Sequence, residues 1–202
     1  MSTPRIAVVS AGLSQPSSTR MLADRLAAAT ARDLTAAGQA PLVETVELRE
    51  HARDLADNLV AGFAAQGLRA AIDQVSGADA LIAVTPIFTA SYSGLFKMFF
   101  DVLDPDALTG MPILVGATGG TARHSLALEH AARPLFTYVR AVVVPTSVYA
   151  ATEEWGERGL QERIDRAGGE LAGLVLGRSA GRPSDPYDDV VPFESMLAAR
   201  RP

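Results

Sequence analysis

Thr85-Pro86-Ile87-Phe88-Thr89-Ala90-Ser91-Tyr92-Ser93-Gly94-Leu95-Phe96-Lys97 is the stretch of the chain that decides its fold. It joins the apolar run 80–84 to a Phe-rich segment at 95–103. A short apolar run of this kind is typical of a strand buried on both faces, and we expect the Phe-rich segment to be a helix. Pro86 forces an extended conformation on the residue before it, so we expect the strand to end at Thr85 in an irregular loop.

The polar turn within this stretch is also a candidate binding loop. Ser91 or Ser93 can cap the helix that follows. In open parallel sheets, ligands bind at the carboxyl ends of strands, where such loops present backbone N–H groups and small hydroxyls. An ordinary strand-to-helix connection gives the same local pattern, so other segments have to decide between the two interpretations.

A second loop of this kind follows the first apolar run, at 6–9. It extends from Ser10 to Thr19 and contains five hydroxyl side chains and one glycine. Ser17, Ser18 and Thr19 are good N-caps, and apolar residues then recur at helical spacing, so a helix begins there. Hydroxyls beside the free N–H groups of a helix suit a phosphate monoester, although a Ser-rich cap without a ligand would look the same. The loop matches neither the Walker A pattern nor the three-glycine dinucleotide pattern.

A third loop, Thr118-Gly119-Gly120-Thr121, follows a predicted strand at 112–117. Paired glycines at the end of a strand let a flat ligand approach the backbone closely, or they make a tight turn. We expect a long helix from this loop to about Tyr138, with Pro134 causing a kink or a π-type irregularity.

The remaining segments complete an alternation of strands and helices. We expect an edge strand at 42–48 and a helix around 68–76. A last central strand at 142–144 precedes an amphipathic helix with apolar residues from 160 to 175.

Length and composition limit the class of protein. At 202 residues the chain is predicted to form one domain over 1–177, followed by an irregular tail at 178–202, whose apolar cluster at 190–193 docks on its own subunit or on a neighbour. The net charge of −5, with no Lys/Arg run, argues against nucleic acid or an anionic membrane as a partner. The absence of cysteine excludes thiolate catalysis, Cys-ligated metals and disulfides. No apolar stretch reaches the roughly 18 residues of a membrane span, so we expect a cytoplasmic protein.

The alternation predicts an α/β fold, a doubly wound five-stranded parallel sheet of order 2-1-3-4-5. The three loops follow its first, third and fourth strands, which are adjacent in this order. One ligand could therefore place a phosphate at 10–19, a chain along 86–91 and a flat ring against Gly119 and Gly120. These features describe flavin mononucleotide (FMN).

The motifs resemble those of the NADPH-dependent FMN reductase family of flavodoxin-like folds. Residues 86–97 resemble the family's Pro-x-Tyr/Phe-x-x-Ser/Ala-Tyr-Ser-Gly-x-Leu/Phe-Lys loop, and 118–121 followed by His124 resembles the loop beside the isoalloxazine ring. Residues 17–23 resemble the start of the phosphate-loop helix. The family's Gly-Ser-x-Arg is replaced by Ser10-Ala11-Gly12-Leu13-Ser14, and its Asn near the helix start is Thr19.

The resemblance implies hydride transfer from NADPH or NADH to FMN, with the reduced flavin supplied to a partner monooxygenase. It implies no catalytic side chain and no metal, since the chemistry is that of the flavin. His124 either holds the glycine loop or contacts the flavin's pyrimidine edge, and Tyr92 and Phe88 either flank the ring or pack. The predicted cofactor-binding residues are Ser10, Ser17, Ser18, Thr19, Pro86, Ile87, Phe88, Thr89, Ser91, Thr118, Gly119, Gly120 and Thr121.

Two other functions share these features. An electron-carrier flavodoxin would hold FMN permanently without a nicotinamide site, but flavodoxins are usually more acidic and sandwich the ring between aromatic loops, whereas the single Trp155 lies outside the three loops. A reductase of quinones, azo dyes or metal oxyanions would use FMN as a prosthetic group. We also expect a homodimer or homotetramer, because Phe96, Phe99 and Phe100 cannot all face one sheet.

Overall fold

The computed structural model describes residues 3–177, and the tail at 178–202 and its apolar cluster at 190–193 lie outside the described residues. The backbone alternates strands and helices as the sequence predicts. The strands are β1 (Arg5–Ser10), β2 (Leu42–Glu47), β3 (Ala80–Phe88), β4 (Ser91–Tyr92), β5 (Pro112–Gly119), β6 (Val142–Val143) and β7 (Val148–Ala151). The helices are α1 (Ser18–Ala36), α2 (Ala52–Ala61), α3 (Gln66–Ser76), α4 (Gly94–Asp101), α5 (Arg133–Tyr138) and α6 (Arg158–Gly177).

The strands form a parallel sheet of order β2-β1-β3-β5-β6, with β4 attached to β3 as a small antiparallel hairpin. With that hairpin set aside, the predicted order 2-1-3-4-5 is confirmed. The fifth position is shared: β6 pairs with the start of β5 and β7 with its end. The segment 142–144 is therefore part of an edge rather than a central strand, and β7 was missed because Pro145 interrupts the apolar run.

The helices cover both faces of the sheet, as a doubly wound fold requires. Alternate residues of β1 point to opposite faces, so Ile6 and Val8 pack with α1 and α6 while Ala7 and Val9 pack with the other helices. The predicted helix at 68–76 is confirmed as part of α3, and the predicted helix at 160–175 as part of α6. Fully buried side chains fill both layers.

The expectation that β3 ends at Thr85 is wrong, because the strand continues through Pro86 to Phe88. Successive residues of a strand direct their backbone groups to opposite neighbours, and the Val84 carbonyl accepts from Ala11 N at 2.9 Å on the β1 side. Pro86 faces that same side, where β1 has already ended at Ser10. The missing N–H of Pro86 therefore deprives no neighbouring strand of a hydrogen bond.

The expectation of one long helix after β5 is also wrong, because the helical segment there is interrupted. A short 3-10 turn, Ala122–His124, comes first, a π-helical segment follows at Leu128–Ala132, and α5 begins only at Arg133. The predicted π-type irregularity is therefore present. Pro134 lies in the first turn of α5, where an absent N–H is tolerated.

The Phe-rich helix α4 does not leave its aromatic rings on the surface. Phe96, Phe99 and Phe100 are all buried, and Phe96 and Phe100 pack against Phe136 of α5 at centroid distances of 6.1 and 5.0 Å. The argument that these three residues require a second subunit is therefore wrong, since α5 and the π-helical segment cover what the sheet cannot.

The β3–β4 hairpin turn contains strained backbone. Thr89 and Ala90 have φ values of 50° and 67°, the left-handed region that both central residues of a type I′ turn occupy. A side chain in this region costs about 1–2 kcal/mol. Such turns normally contain Asn or Gly at these positions.

We therefore expect Ala90→Gly to raise the free energy of unfolding by about 1 kcal/mol, since glycine adopts this φ without strain. The control is Ala56→Gly at an exposed position inside α2, which should lower it by about 1 kcal/mol. Urea unfolding of both variants measures the two effects. A loss of stability in both variants would contradict the assignment of strain at Ala90.

Candidate functional site

Three strand ends meet at one edge of the sheet. Ser10, the last residue of β1, lies opposite Val84 of β3 and Glu47 of β2, and Pro86 of β3 lies opposite Thr118 of β5. The loops that follow β1, β3 and β5 therefore lie side by side. The structure brings together the three segments that the sequence analysis selected.

The loop after β1 runs into the amino terminus of α1. Ser17 is the N-cap, and its Oγ accepts a hydrogen bond from Arg20 N at 3.2 Å. The first turn of α1 contains no acidic residue, so its N–H groups and positive dipole end are left for an anion. Gly12 makes this arrangement possible, because a Cβ at that position would lie 2.0 Å from Ser17 Oγ.

The predicted hydroxyl ligands fall into two groups. Ser17 is half-buried and Ser18 is exposed, so both are within reach of a ligand. Thr19 and Thr118 are 2% and 4% exposed, and their hydroxyl oxygens lie 2.8 Å apart in a hydrogen bond. This bond links the start of α1 to the end of β5. Thr19 and Thr118 thus hold two loops together, a contact that no local sequence pattern indicates.

Ser10 is the exception among the buried hydroxyls. Its side chain is 1% exposed, and its Oγ has no hydrogen-bond partner within the described part of the chain. A buried hydroxyl without a partner is unfavourable, so such a group at the end of a strand points to a ligand that satisfies it.

The hairpin after β3 is fixed at its base by Thr85. Its buried hydroxyl accepts from Ser93 N at 3.0 Å and donates to the Pro86 carbonyl at 3.0 Å. Ser93 caps α4 by accepting from Phe96 N, which decides the choice left open between Ser91 and Ser93. Ser91 instead lies in β4.

The hairpin residues that were predicted to contact the cofactor differ in their exposure. Phe88 and Thr89 are exposed at the tip, Ile87 is half-buried and Pro86 is buried. The Tyr92 ring packs on Phe96 at a centroid distance of 5.8 Å, which accounts for it as a packing residue.

The two glycines of the third loop have different surroundings. A Cβ at Gly119 would lie 2.0 Å from the hydroxyl oxygen of Tyr149 in β7, which donates to the Thr121 carbonyl at 2.8 Å. A Cβ at Gly120 would meet no atom within 4 Å. Gly119 is therefore required by packing against Tyr149, whereas open space for a flat ligand lies at Gly120.

Tyr149 is a site residue that sequence reasoning missed, since it lies on the strand that Pro145 separates from its neighbours. Burial, together with the nearby Glu154 carboxylate, raises the pKa of the Tyr149 phenol. Tyr149 therefore remains a protonated donor to the Thr121 carbonyl at neutral pH. The predicted residue His124 lies in the 3-10 turn after this loop and is exposed.

Arg20 follows the cap residues in the first turn of α1. Its guanidinium contacts Asp24 at 2.7 Å and Glu47 at 2.5 Å, and hydrogen bonding to Asp24 is the main cause that raises the pKa of Arg20. Arg20 is therefore held by two carboxylates. The donors at the start of α1 that no carboxylate holds are neutral hydroxyls and backbone N–H groups.

Taken together, these features fit FMN. Neutral donors at a helix amino terminus suit the phosphate, the unpartnered Ser10 hydroxyl can bond a polar group nearby, and the space at Gly120 suits a planar ring. Among residues 3–177, no group of three or more His, Asp or Glu residues could hold a metal ion. No helix in the same range is long and apolar enough to cross a membrane.

Comparison with known proteins identifies FMN reductases as relatives of this chain. The family model for NADPH-dependent FMN reductase matches residues 4–156. An FMN reductase (NADPH) of Pseudomonas aeruginosa is 35% identical over 89% of this chain and 97% of its own length, and the NADH-dependent FMN reductase SfnE of Pseudomonas putida is 35% identical over 78% and 82%. A crystal structure of an oxidoreductase from Corynebacterium diphtheriae is 49% identical, with a TM-score of 0.85 over 88% of this chain and 99% of that one. The chain belongs to the NADPH-dependent FMN reductase family.

Proposed function

We propose that this chain is an NAD(P)H:FMN oxidoreductase that transfers a hydride from NADPH or NADH to FMN. The observation that carries the proposal is the arrangement at the sheet edge: an acid-free helix amino terminus capped by Ser17, the unpartnered Ser10 hydroxyl, and open space at Gly120. Family membership supports the same reaction. Because relatives of both NADPH and NADH type are equally similar, both donors remain in the proposal.

The protein contributes placement and electrostatics to this reaction. Bound flavin supplies the redox chemistry, since its ring system accepts a hydride equivalent. Ser17, Ser18 and the first N–H groups of α1 would hold the phosphate, with Ser10 close by at the end of β1. The exposed residues of the β3–β4 hairpin and Gly120 would hold the ring. No side chain has to donate or accept a proton for the hydride step, so we assign no catalytic residue.

The phosphate assignment predicts a selective loss of affinity in Ser17→Ala. The variant loses a hydroxyl that can bond the phosphate and that caps α1, so the Kd of FMN should rise about tenfold or more. The Kd of riboflavin, which has no phosphate, should change little. Fluorescence titration of both flavins measures the difference.

Ser93→Ala is the matched control, since it removes the same kind of cap from α4 beside the hairpin. Its effect should be similar for the two flavins. Equal losses of FMN and riboflavin affinity in Ser17→Ala would place the phosphate elsewhere.

We further propose that the reduced flavin is supplied to a partner monooxygenase. Delivery requires that FMN enter and leave, and the observed donors to the phosphate are neutral while Arg20 is held by Asp24 and Glu47. Neutral donors favour moderate rather than very tight binding of a dianion. The second candidate, a quinone or azo reductase, would instead retain FMN as a prosthetic group.

Titration of the apo-protein with oxidised and with reduced FMN distinguishes these roles. For flavin delivery we expect micromolar affinity that falls on reduction, and loss of FMN on gel filtration. Submicromolar binding in both redox states, with FMN retained through gel filtration, would reject delivery and favour a reductase of a separate acceptor.

We also propose a cytoplasmic homodimer or homotetramer, on different grounds from the buried Phe cluster. Leu59, Val60 and Phe63 are exposed together at the end of α2, and Val60 is 92% exposed. Exposed apolar clusters of this kind commonly mark subunit interfaces. Light scattering should show an oligomer for the wild-type protein and a smaller species for Val60→Asp, and a wild-type monomer at micromolar concentration would refute the proposal.

A further inference from the structure

The loop that precedes the Ser17 cap has little contact with the rest of the fold. Residues 13–16 are exposed and belong to no helix or strand. Within residues 3–177, the hydrogen bonds that tie this segment to the remainder of the chain come from Arg49, which lies in the 3-10 turn after β2. The loop that positions Ser17 therefore depends on a side chain more than thirty residues away.

The contacts of Arg49 with this loop are specific. Its Nη1 donates to the Ser14 carbonyl at 3.4 Å. With the Gln15 amide oriented so that its oxygen faces the guanidinium, that oxygen accepts from Nη1 at 2.7 Å and also from Nη2. Arg49 thus uses both terminal nitrogens on two consecutive residues of the loop, which is a geometry that a lysine cannot reproduce.

Glu47 holds Arg49 in place and connects it to α1. The Arg49 Nε and Glu47 Oε2 atoms are 2.8 Å apart, although the N–H is not directed at that oxygen, so the contact is ionic rather than a hydrogen bond. The other oxygen of Glu47 contacts Arg20 Nη1 at 2.5 Å. The side chains of Glu47 and Arg49 are only 16% and 17% exposed, so this pair is little screened by solvent.

The arginines of these ion pairs also line a neighbouring cleft. A cleft of 520 Å3 runs along α1 beside the loop, and three arginines line it. Arg20 is paired with Asp24 and Glu47, Arg49 is paired with Glu47, and the Arg25 guanidinium lies over the Trp155 ring at 5.1 Å. All three guanidinium groups have partners within the protein, and Arg49 is the one that contacts the loop.

We propose that Arg49, held by Glu47, is a positioning residue for the loop at residues 13–16, which leads into the Ser17 cap. It acts through the backbone of Ser14 and the side chain of Gln15 and does not contact the phosphate itself. This inference rests on the proposed binding of FMN at Ser17 and Ser18. This role of Arg49 makes the affinity for FMN depend on the connection between β2 and α2, which contributes no other residue to the site.

The test compares Arg49→Ala with Arg5→Ala. Arg5 at the start of β1 pairs with Glu44 of β2 at 3.4 Å, at the opposite end of these strands from the loop, so its removal changes the net charge equally. In Arg49→Ala we expect the Kd of FMN to rise about tenfold, the Kd of riboflavin to stay within about twofold, and kcat at saturating FMN to be unchanged. Arg5→Ala should leave all three unchanged.

Two further measurements keep the role of Arg49 separate from general electrostatics and from misfolding. In 15N relaxation of the ligand-free protein, the backbone order parameters at residues 12–15 and 17 should be lower in Arg49→Ala than in the wild type, and those of β5 should be unchanged. Arg49→Lys keeps the charge but not the paired contacts, so it should bind FMN as weakly as Arg49→Ala while keeping the wild-type melting temperature.

The outcomes separate the two proposals. Wild-type affinity for FMN in Arg49→Lys, or unaltered order parameters at residues 12–15 and 17 in Arg49→Ala, would overturn the positioning role. Failure of the wild-type protein to bind FMN would instead refute the proposed function, while the relaxation measurement on ligand-free protein would still decide whether Arg49 orders the loop.

Discussion

The arrangement of the site depends on the pairing of β3 with β1 on one side and β5 on the other. All three strands are buried and parallel, so their carboxyl ends reach the same edge and their loops become neighbours. Each loop is then held in place by a contact with a residue of another element. Without this strand order, the Ser17 cap and a glycine loop more than a hundred residues away could not lie at one site.

The same edge combines rigid and strained parts. Thr85 fixes the base of the hairpin through Ser93 and Pro86, while Thr89 and Ala90 at its tip hold a left-handed backbone. Strain of this kind is retained when the surrounding structure determines the conformation, and it is common at binding sites. The hairpin therefore presents Phe88 and Thr89 at a fixed place beside the glycine loop.

The loops at this edge of the sheet are held by contacts with distant residues rather than by contacts within each loop. Thr19 bonds Thr118, Tyr149 bonds the carbonyl of Thr121, and Arg49 bonds the segment before Ser17. In each case the partner comes from a different strand or connection. Contacts of this kind order the loops before any ligand arrives, which lowers the entropic cost of binding.

The sequence alone determined the fold class and the three loops, because buried strands, helix caps and glycine turns have local patterns that do not depend on distant residues. The strand order followed from the alternation of strands and helices, which is typical of a doubly wound sheet. It also predicted the FMN reductase family, which the comparisons confirm. Only the tertiary structure decided that β3 passes through Pro86, that Gly119 accommodates Tyr149, that the Phe cluster of α4 is buried by α5, and that Arg49 bonds the loop before Ser17. These features depend on which elements become neighbours and in what register, and no spacing within a single segment carries that information.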